Sequence, residues 1–317
     1  MSVPSVKLNT GASMPAIGLG AAPVHWTPEG KAETKNWVLT ALQAGYRHVD
    51  TGHFYGTEAA VGAALRASGI PREEVFVTTK LPWHHAKCVA RSFDESLKNL
   101  GFDYVDLYLM HYPQAVTYPA YDDGYSAPSS LAEIVGPGMV VDDSHTFNET
   151  WAEMEKIHAS GRARAIGVCS FSVKTLEKLL ETAKIVPAAI EVECSPYLVE
   201  TQLLDYCRQK GIALTIYSPT GGPLGEAVRT DPTIVALAEK YGVSAVQIIL
   251  AWHVARGTVA LPSTDNVAWQ KENITLPALT VEDVSTITAL DRNQRFTNKP
   301  GPDGKLFGWT TEQYGWD

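Results

Sequence analysis

Four ionisable residues stand where three successive apolar segments of the chain end. Asp50 and Tyr55 follow the first segment, Lys80 ends the second and His111 ends the third. A phenol has a pKa of about 10 and is a weak acid at neutral pH, but an adjacent ammonium group stabilises its anion. A carboxylate keeps that ammonium charged in a partly buried site. A histidine can hydrogen-bond a substrate oxygen and orient it.

Together these side chains suit one reaction, the protonation of an oxyanion that forms when hydride adds to a carbonyl. Tyr55 is the predicted acid, Asp50 and Lys80 tune its acidity, and His111 orients the carbonyl. Taken singly, each residue has an ordinary structural explanation, so the prediction depends on all four facing one cleft. Gly52, which lies between the carboxylate and the phenol, is expected to allow the turn that brings the phenol back.

The elements that must position these residues follow from an alternating pattern. Short segments rich in apolar and β-branched residues alternate with segments of helical periodicity, which predicts a parallel sheet covered by helices. Eight such strands closing on themselves form a (β/α)8 TIM barrel, an α/β fold whose active site lies at the carboxyl ends of the strands. The eight predicted strands are residues 16–20, 47–50, 75–80, 104–111, 163–170, 188–193, 213–218 and 259–262.

The chain has 317 residues, more than the roughly 250 that a barrel of this type needs. The surplus has three predicted places. An N-terminal β-hairpin is predicted around the turn-like segment 9–13, a long loop after the fourth strand at 112–147, and an irregular C-terminal substrate loop at 297–317. No linker or internal repeat interrupts the pattern, so residues 1–317 are predicted to form a single barrel domain.

Local signals predict where the helices begin and end. Asn148 and Ser172 are expected N-cap residues, because their side chains can accept from the free backbone N–H groups of a first turn. Glycines that follow helical segments are typical stop signals, as at Gly45, Gly101 and Gly211.

An open doubly wound sheet is the alternative fold. It usually carries G-x-G-x-x-G after its first strand. The segment GLGAAP at 18–23 has Pro23 where the third glycine should be, and this favours the barrel.

Composition excludes several classes of function. Apolar residues make up 45% of the chain and the net charge is −9, which suits a large core and argues against a nucleic-acid surface. The four cysteines show neither C-x-x-C pairs nor zinc-site spacing, so no metal site is predicted. No secretory signal and no long apolar run occur. We therefore expect a cytoplasmic protein without a membrane partner, either a monomer or a weak dimer, that acts on a small-molecule carbonyl substrate.

Seven stretches of the sequence resemble the aldo-keto reductases, and the resemblance runs from the predicted hairpin to about residue 300. It implies a (β/α)8 barrel that binds a nicotinamide dinucleotide without a Rossmann domain and reduces aldehydes and ketones to alcohols. The catalytic tetrad of that family matches Asp50, Tyr55, Lys80 and His111. The stretches are GYRHVDTGHFYGTE, FVTTKL, DYVDLYLMHYP, WAEMEKIHASGRARAIGVCSF, EVECSPYL, YSPTGGPLG and LPSTDNVAWQKEN.

The residues implied to hold the nicotinamide depart from the family pattern. Cys169 and Ser170 stand where the family usually has Ser and Asn, and Glu191 stands where it usually has Gln. A carboxylate can accept from the carboxamide NH2 but cannot donate to its C=O, whereas Ser170 can supply that donor. The alternative is that Glu191 turns away and pairs with a cation. Tyr217 matches the aromatic residue that stacks on the ring, and the loop after it resembles the pyrophosphate loop, including Ser218, Pro219 and Leu224.

The residues implied to hold the 2′-phosphate of NADPH lack the two usual cations. The resemblance places Ser263, Thr264 and Trp269 where the family usually has Lys, Ser and Arg. Since phosphate recognition relies on Arg and Lys, a weakened preference for NADPH is predicted, with NADH accepted or preferred. Thr264, Asn266 and nearby Lys271 could still form a weaker phosphate site. Glu272 and Asn273, which match the family at the end of this stretch, complete the predicted cofactor-binding residues.

Aromatic residues are expected at the substrate mouth, and the loop at 112–147 and the tail are expected to decide specificity. The polar, tyrosine-rich stretch 116–130 suits a hydroxylated substrate such as a sugar aldehyde or a uronic acid. The predicted substrate-binding residues are Trp26, Trp83, Tyr112, Phe307 and Trp309.

Two other functions are weighed against the reductase. A nucleotide-binding or sensing protein on the same barrel with little turnover would explain the altered carboxamide residues, but it has no need of four aligned catalytic groups. A barrel hydrolase with paired carboxylates would use Asp50 and Glu58, but the pattern places no second acid opposite the first.

Overall fold

Eight parallel strands close into a barrel in the computed structural model of this chain, which describes residues 3–121, 123–127, 136 and 138–316. The strands pair in the order β3-β4-β5-β6-β9-β10-β11-β12. The strands of the chain are β1 Ser5–Lys7, β2 Ser13–Pro15, β3 Leu19–Gly20, β4 His48–Asp50, β5 Phe76–Leu81, β6 Leu107–Met110, β7 Val116–Thr117, β8 Val140–Val141, β9 Ile166–Cys169, β10 Ala189–Glu193, β11 Ala213–Tyr217, β12 Val259–Leu261, β13 Lys305–Leu306 and β14 Trp309–Thr310.

The first and last barrel strands meet through backbone hydrogen bonds. Gly18 N–H donates to the carbonyl of Ala260 at 2.9 Å, and Ala260 N–H donates to the carbonyl of Ala16 at 2.9 Å. This seam closes the sheet, so the prediction of an eight-stranded barrel is confirmed. The doubly wound alternative, which leaves the sheet open, is wrong.

Helices cover the outside of the barrel, and their apolar faces pack on its strands. They are α1 Pro28–Ala44, α2 Glu58–Ser68, α3 Val89–Leu100, α4 Phe147–Ala159, α5 Val173–Leu180, α6 Thr201–Lys210, α7 Glu226–Arg229, α8 Pro232–Tyr241, α9 Ala245–Ala255, α10 Val267–Asn273, α11 Val281–Thr288 and α12 Thr311–Tyr314.

The predicted helix-ending glycines and one of the two predicted N-cap residues are confirmed. Gly45, Gly101 and Gly211 follow their helices with φ of 117°, 70° and 70°, a conformation that favours glycine. Ser172 caps α5 as expected. The predicted cap Asn148 is wrong. Thr146 caps α4 in a reciprocal arrangement with Glu149, in which each side chain bonds the backbone N–H of the other.

The N-terminal hairpin pairs β1 with β2 as predicted. Met14 of this hairpin is fully buried and packs in one cluster with residues of the barrel interior, among them Leu107 and Leu109. The hairpin therefore closes one end of the barrel. The opposite end, where the carboxyl termini of the strands lie, is left for a site.

The two remaining surplus segments carry more structure than predicted. After β6, strands β7 and β8 form an antiparallel pair. Part of the predicted loop 112–147 and of its tyrosine-rich stretch, namely residues 122, 128–135 and 137, lies outside the described residues. The tail is not irregular throughout, because β13 pairs with β14 and α12 follows. Tyr314 of α12 is fully buried, which explains why this short helix holds its place.

Within the described part of the chain, no single helix is long and apolar enough to cross a membrane. Helices α8 and α9, which meet at an angle of 91°, reach the required length and composition only as a bent pair.

Candidate active site

The four predicted catalytic residues lie at the carboxyl ends of three neighbouring strands. Asp50 ends β4, Lys80 lies near the end of β5, and His111 follows β6. Tyr55 returns over the same end because residues His53–Tyr55 form a single 3-10 turn. The three strands are adjacent in the barrel, so the sequence order alone brings these side chains together.

Gly56, rather than Gly52, has the left-handed backbone conformation that ends this turn. Gly52 has an extended backbone with φ of −168°, which any residue adopts. Gly56 ends the turn with φ of 66°, in the left-handed region that favours glycine. The expectation that Gly52 allows the turn is therefore wrong.

Lys80 is the centre of the site. Its side chain is fully buried, and its ammonium donates to Asp50 Oδ1 and, at 3.0 Å, to the carbonyl of Thr51. Glu191 Oε1 lies 3.4 Å from the same nitrogen. Burial alone would lower the pKa of Lys80, but the charges of Asp50 and Glu191 more than offset it and hold the pKa well above its usual value. The lysine is therefore a permanent cation.

Glu191 is the second carboxyl group on this ammonium. The sequence left open whether it holds a carboxamide or pairs with a cation, and the structure shows the ion pair with Lys80. Burial and the nearby charge of Asp50 raise the pKa of Glu191 to about 8, although Lys80 opposes the rise. Among the residues that the structure describes, its Oε2 atom has no hydrogen-bond partner, so one acceptor remains for a further group.

Tyr55 and His111 lie beside the lysine and line an open cavity of 1360 Å³. The Lys80 nitrogen is 5.2 Å from the centre of the Tyr55 ring, and the rings of Tyr55 and His111 are 5.5 Å apart at 86°. Burial raises the pKa of Tyr55 above its usual range, against the opposing charge of Lys80. Burial and then Lys80 hold the pKa of His111 well below its usual value. The phenol therefore keeps its proton and the imidazole is neutral.

The walls of the cavity are aromatic. Trp83 and Phe307 stack with ring centres 5.1 Å apart at 18°, and Trp26 packs on Phe54 at 5.3 Å. This brings the tail against the loop after β5. All five predicted substrate residues line the cavity, namely Trp26, Trp83, Tyr112, Phe307 and Trp309.

Sequence reasoning missed two residues that shape this cleft. Asn298 of the tail accepts from the Tyr112 hydroxyl at 3.3 Å and donates to the Tyr217 hydroxyl. The buried carboxylate of Glu193, at the end of β10, accepts from three successive backbone N–H groups of the tail, including those of Thr297 and Asn298 at 3.1 Å. No local sequence pattern predicts a contact between residues more than 100 positions apart.

The residues expected to hold the nicotinamide lie at the ends of β9, β10 and β11. Ser170 and Ser218 directly follow β9 and β11 with φ of 62° and 50°, strained values for a residue with a side chain, which cluster at functional sites. Ser170 Oγ lies 3.5 Å from Cys169 Sγ. Tyr217 ends β11 beside them. The structure thus brings the predicted carboxamide residues together at the same rim as the tetrad.

The backbone of the predicted pyrophosphate loop requires glycine at two positions. Gly221 has φ of 82°, and a side chain on Gly225 would meet the carbonyl of Thr220 at 2.1 Å. Pro219 is buried, and Leu224 is 65% exposed at the tip of the loop.

The predicted 2′-phosphate residues follow β12 and continue into α10. Ser263 is exposed and Trp269 is 57% exposed. Asn266 caps α10 by accepting from the N–H groups of Ala268 and Trp269, so its oxygen is already engaged. The remaining predicted residues differ in exposure: Thr264 and Glu272 are half-buried and Asn273 is buried.

Comparisons with known proteins agree with this geometry. The model of the family described as "Aldo/keto reductase family" matches residues 16–292. The chain is 40% identical to a Saccharomyces cerevisiae protein named glycerol 2-dehydrogenase (NADP(+)), with 91% of each chain covered. It is 36% identical to aldo-keto reductase family 1 member A1 of Mus musculus, over 93% of this chain and 92% of that one. It is also 36% identical to an aldose reductase of Encephalitozoon cuniculi, over 93% and 96%.

Proposed function

Because this chain belongs to the aldo/keto reductase family, we propose that it reduces the carbonyl group of a small polar aldehyde to the alcohol, with Tyr55 as the proton donor. It is an oxidoreductase that uses NADP(H). The observation that carries the proposal is the fully buried Lys80 ammonium, held by carboxylates, beside a phenol that lines the cavity. A protein that only sensed a nucleotide would need neither group, so that alternative is not favoured.

Each residue of the tetrad has a separate role. Tyr55 keeps its proton until negative charge develops on the substrate oxygen, and Lys80 then stabilises the phenolate that remains. Asp50 and the carbonyl of Thr51 hold the ammonium in place. Neutral His111 donates a hydrogen bond to the substrate oxygen and orients it towards the phenol. Lys80 and Asp50 are buried, which strengthens these charge interactions.

The residues at the ends of β9 to β11 fit a nicotinamide cofactor, which supplies the hydride when bound. Glu191 has one buried oxygen without a partner in the described residues, which suits the NH2 of a carboxamide. Ser170 offers a hydroxyl donor for its C=O. Tyr217 presents an aromatic ring at the same rim. We propose that these residues hold the nicotinamide, although their types differ from those usual in the family.

The expected preference between NADPH and NADH follows from the absence of the Lys and Arg that the family usually has at the positions of Ser263 and Trp269. In the described segment from Ser263 to Asn273, the only cation is the exposed Lys271. We expect the ratio of kcat/KM for NADPH over NADH to stay below about a hundred, or about 2.7 kcal/mol. A Trp269→Arg variant should raise that ratio by supplying a guanidinium, whereas Trp269→Gln should not. A wild-type ratio above about a hundred would contradict the weakened preference.

A neutral hydroxylated aldehyde fits the cavity better than a uronic acid. The wall near the tetrad is aromatic, and in the described part of the lining the lysines, Lys299 and Lys305, are both exposed. Two acidic residues, Asp143 and Asp303, share the lining with them, so the charges balance. A carboxylate substrate would gain no buried cation. Sugar aldehydes are therefore the proposed substrates, because they are neutral and their hydroxyl groups can bond polar lining residues such as Asn298 and Gln313.

The experiment that tests this function replaces Tyr55 with Phe. Turnover of a panel of aldoses, uronic acids and simple aldehydes should fall by about 100-fold or more, since general acid catalysis contributes about 10²–10⁴. Cofactor binding, measured by quenching of tryptophan fluorescence, should be nearly unchanged. Tyr104→Phe, which removes a phenol before β6 outside the cavity, is the control and should keep full activity. Near-normal turnover by the Tyr55 variant would refute the assignment.

A further inference from the structure

The site holds one ammonium and two carboxyl groups, where the family pattern supplies one of each. We propose that Glu191 is a second counter-ion of Lys80 whose charge selects the oxidised over the reduced nicotinamide, so that the oxidation state of the cofactor and the proton on Glu191 are linked. This inference rests on the proposed function, because it requires the nicotinamide to lie at the ends of β9 to β11.

The geometry places Glu191 within the cluster of charged groups. Its Oε1 atom is 3.4 Å from Lys80 Nζ, and both side chains are buried. The same ammonium contacts Asp50 Oδ1, so both carboxyl groups face one cation. Along the strands it pairs in register with Cys169 of β9 and Thr215 of β11. Glu191 therefore contacts the lysine from the strand that neighbours β9 and β11, where the other predicted carboxamide residues lie.

The charges around Glu191 do not cancel unless a proton is present. The titratable groups that act on it or lie beside it are Asp50 from β4, Tyr55 from the turn after β4, Lys80 from β5 and Cys169 from β9. Burial raises the pKa of the Cys169 thiol well above its usual value, so the thiol is neutral like the phenol. His111, after β6, is neutral too. One ammonium then faces two carboxylates.

A proton on Glu191 removes the surplus negative charge. Among the described residues, Glu191 Oε2 is buried without a hydrogen-bond partner. A carboxyl group that is buried beside a second carboxyl group keeps its proton to higher pH. Burial and Asp50 raise the pKa of Glu191 to about 8, so this proton is present at neutral pH and is lost in mildly alkaline solution.

The nicotinamide ring is positively charged when oxidised and neutral when reduced. An anionic Glu191 attracts the oxidised ring and gains little from the reduced one, whereas a glutamine at this position distinguishes neither by charge. Binding of the oxidised form therefore favours loss of the Glu191 proton. By linkage, affinity for the oxidised cofactor rises with pH up to about 8, by at most about tenfold per unit, and levels off above it.

The test is the pH dependence of the ratio Kd(NADPH)/Kd(NADP+), measured by quenching of tryptophan fluorescence from pH 6 to 9 at constant ionic strength. The ratio cancels any titration of the 2′-phosphate, which both forms carry. In the wild type it should rise at least about tenfold between pH 6 and 8.5. In the isosteric variant Glu191→Gln it should be flat.

Asp283→Asn is the matched control. It neutralises the buried carboxylate of Asp283 on α11, which pairs with Lys240 of α8. Neither residue lines the cavity, so the variant should keep the wild-type rise. A flat ratio in the wild type, or an equal rise in Glu191→Gln, would overturn the inference. Should Glu191→Gln fail to fold, the wild-type series alone decides.

Binding needs no turnover, so this result is independent of the proposed catalytic role. A rising ratio together with an active Tyr55→Phe variant would retain the linkage and refute the mechanism. A flat ratio together with an inactive Tyr55→Phe variant would do the reverse.

Discussion

At the scale of single residues, the decisive arrangement is two acids on one buried lysine. The sequence places Asp50, Lys80 and His111 at one rim because they end adjacent parallel strands, and local order is enough for that. It does not place Glu191 against Lys80, because β10 lies three strands from β5 in the sheet. Only closure of the barrel brings that carboxyl across the interior. The meeting of these side chains was therefore predictable, whereas the position of Glu191 on Lys80 was one of two open alternatives.

The raised pKa of Glu191 makes the stability of the cofactor-free protein depend on pH. The folded pKa of about 8 exceeds the ordinary value of 4.5, so the folded state binds more protons between these two values. Stability from this group is fully present below pH 4.5 and is lost as pH rises through about 8. From pH 6 to 8 the wild type should lose up to about 1.4 kcal/mol per pH unit relative to Glu191→Gln.

Urea denaturation of both proteins at each pH measures that difference. Asp283→Asn serves as control, because the pKa of Asp283, lowered by hydrogen bonds from Lys240 and Tyr241 to about 2, leaves it ionised throughout. Its offset from the wild type should be constant. A constant offset for Glu191→Gln as well would mean that Glu191 does not titrate in this range.

At the scale of elements, local signals predicted most boundaries and long-range contacts determined the rest. Glycine stops and the Ser172 cap are local and were predicted correctly. The start of α4 was wrong because Asn148 and Thr146 are both good caps, and the reciprocal bond with Glu149 decides for Thr146. The tail could not be predicted as structured, because its anchor is Glu193 on the distant strand β10.

Replacing Glu193 with Gln should release the tail from the barrel mouth. A carboxylate accepts from all three tail N–H groups, whereas an amide presents one acceptor oxygen and an NH2 that faces other donors. Hydrogen bonds to charged groups contribute about 1.5–3 kcal/mol each, so loss of one should raise KM for the aldehyde about tenfold or more. Limited proteolysis should cut the tail faster than in the wild type.

Glu312→Gln is the control for this prediction, since it neutralises an exposed carboxylate within the same tail. It should change neither KM nor the rate of cleavage. If Glu193→Gln also left both unchanged, the tail would be held by its aromatic contacts instead.

At the scale of the whole molecule, the count of eight strands predicted the closed barrel, because eight parallel strands of this kind have one standard arrangement. The seam itself depends on close packing that no periodicity reveals. A side chain on Gly18 would meet the His48 ring and the Leu261 side chain at 2.7 Å. The first barrel strand therefore fits against the last only because this residue is glycine. We propose that the closed seam makes residues 1–317 one cooperative folding unit.

A single cooperative folding unit should unfold in a single transition. Far-UV circular dichroism, which reports helices, and fluorescence of the eight tryptophans should give coincident denaturation curves. Gly18→Ala should destabilise the protein by about 1–3 kcal/mol, because an added methyl group overpacks the seam, and it should shift both curves together. Gly138→Ala is the matched control, since a methyl group there meets no atom of the described residues within 4 Å, and it should leave both curves in place. Curves that separate, in the wild type or in Gly18→Ala, would show that the two sides of the seam unfold independently and that the barrel is not a single unit.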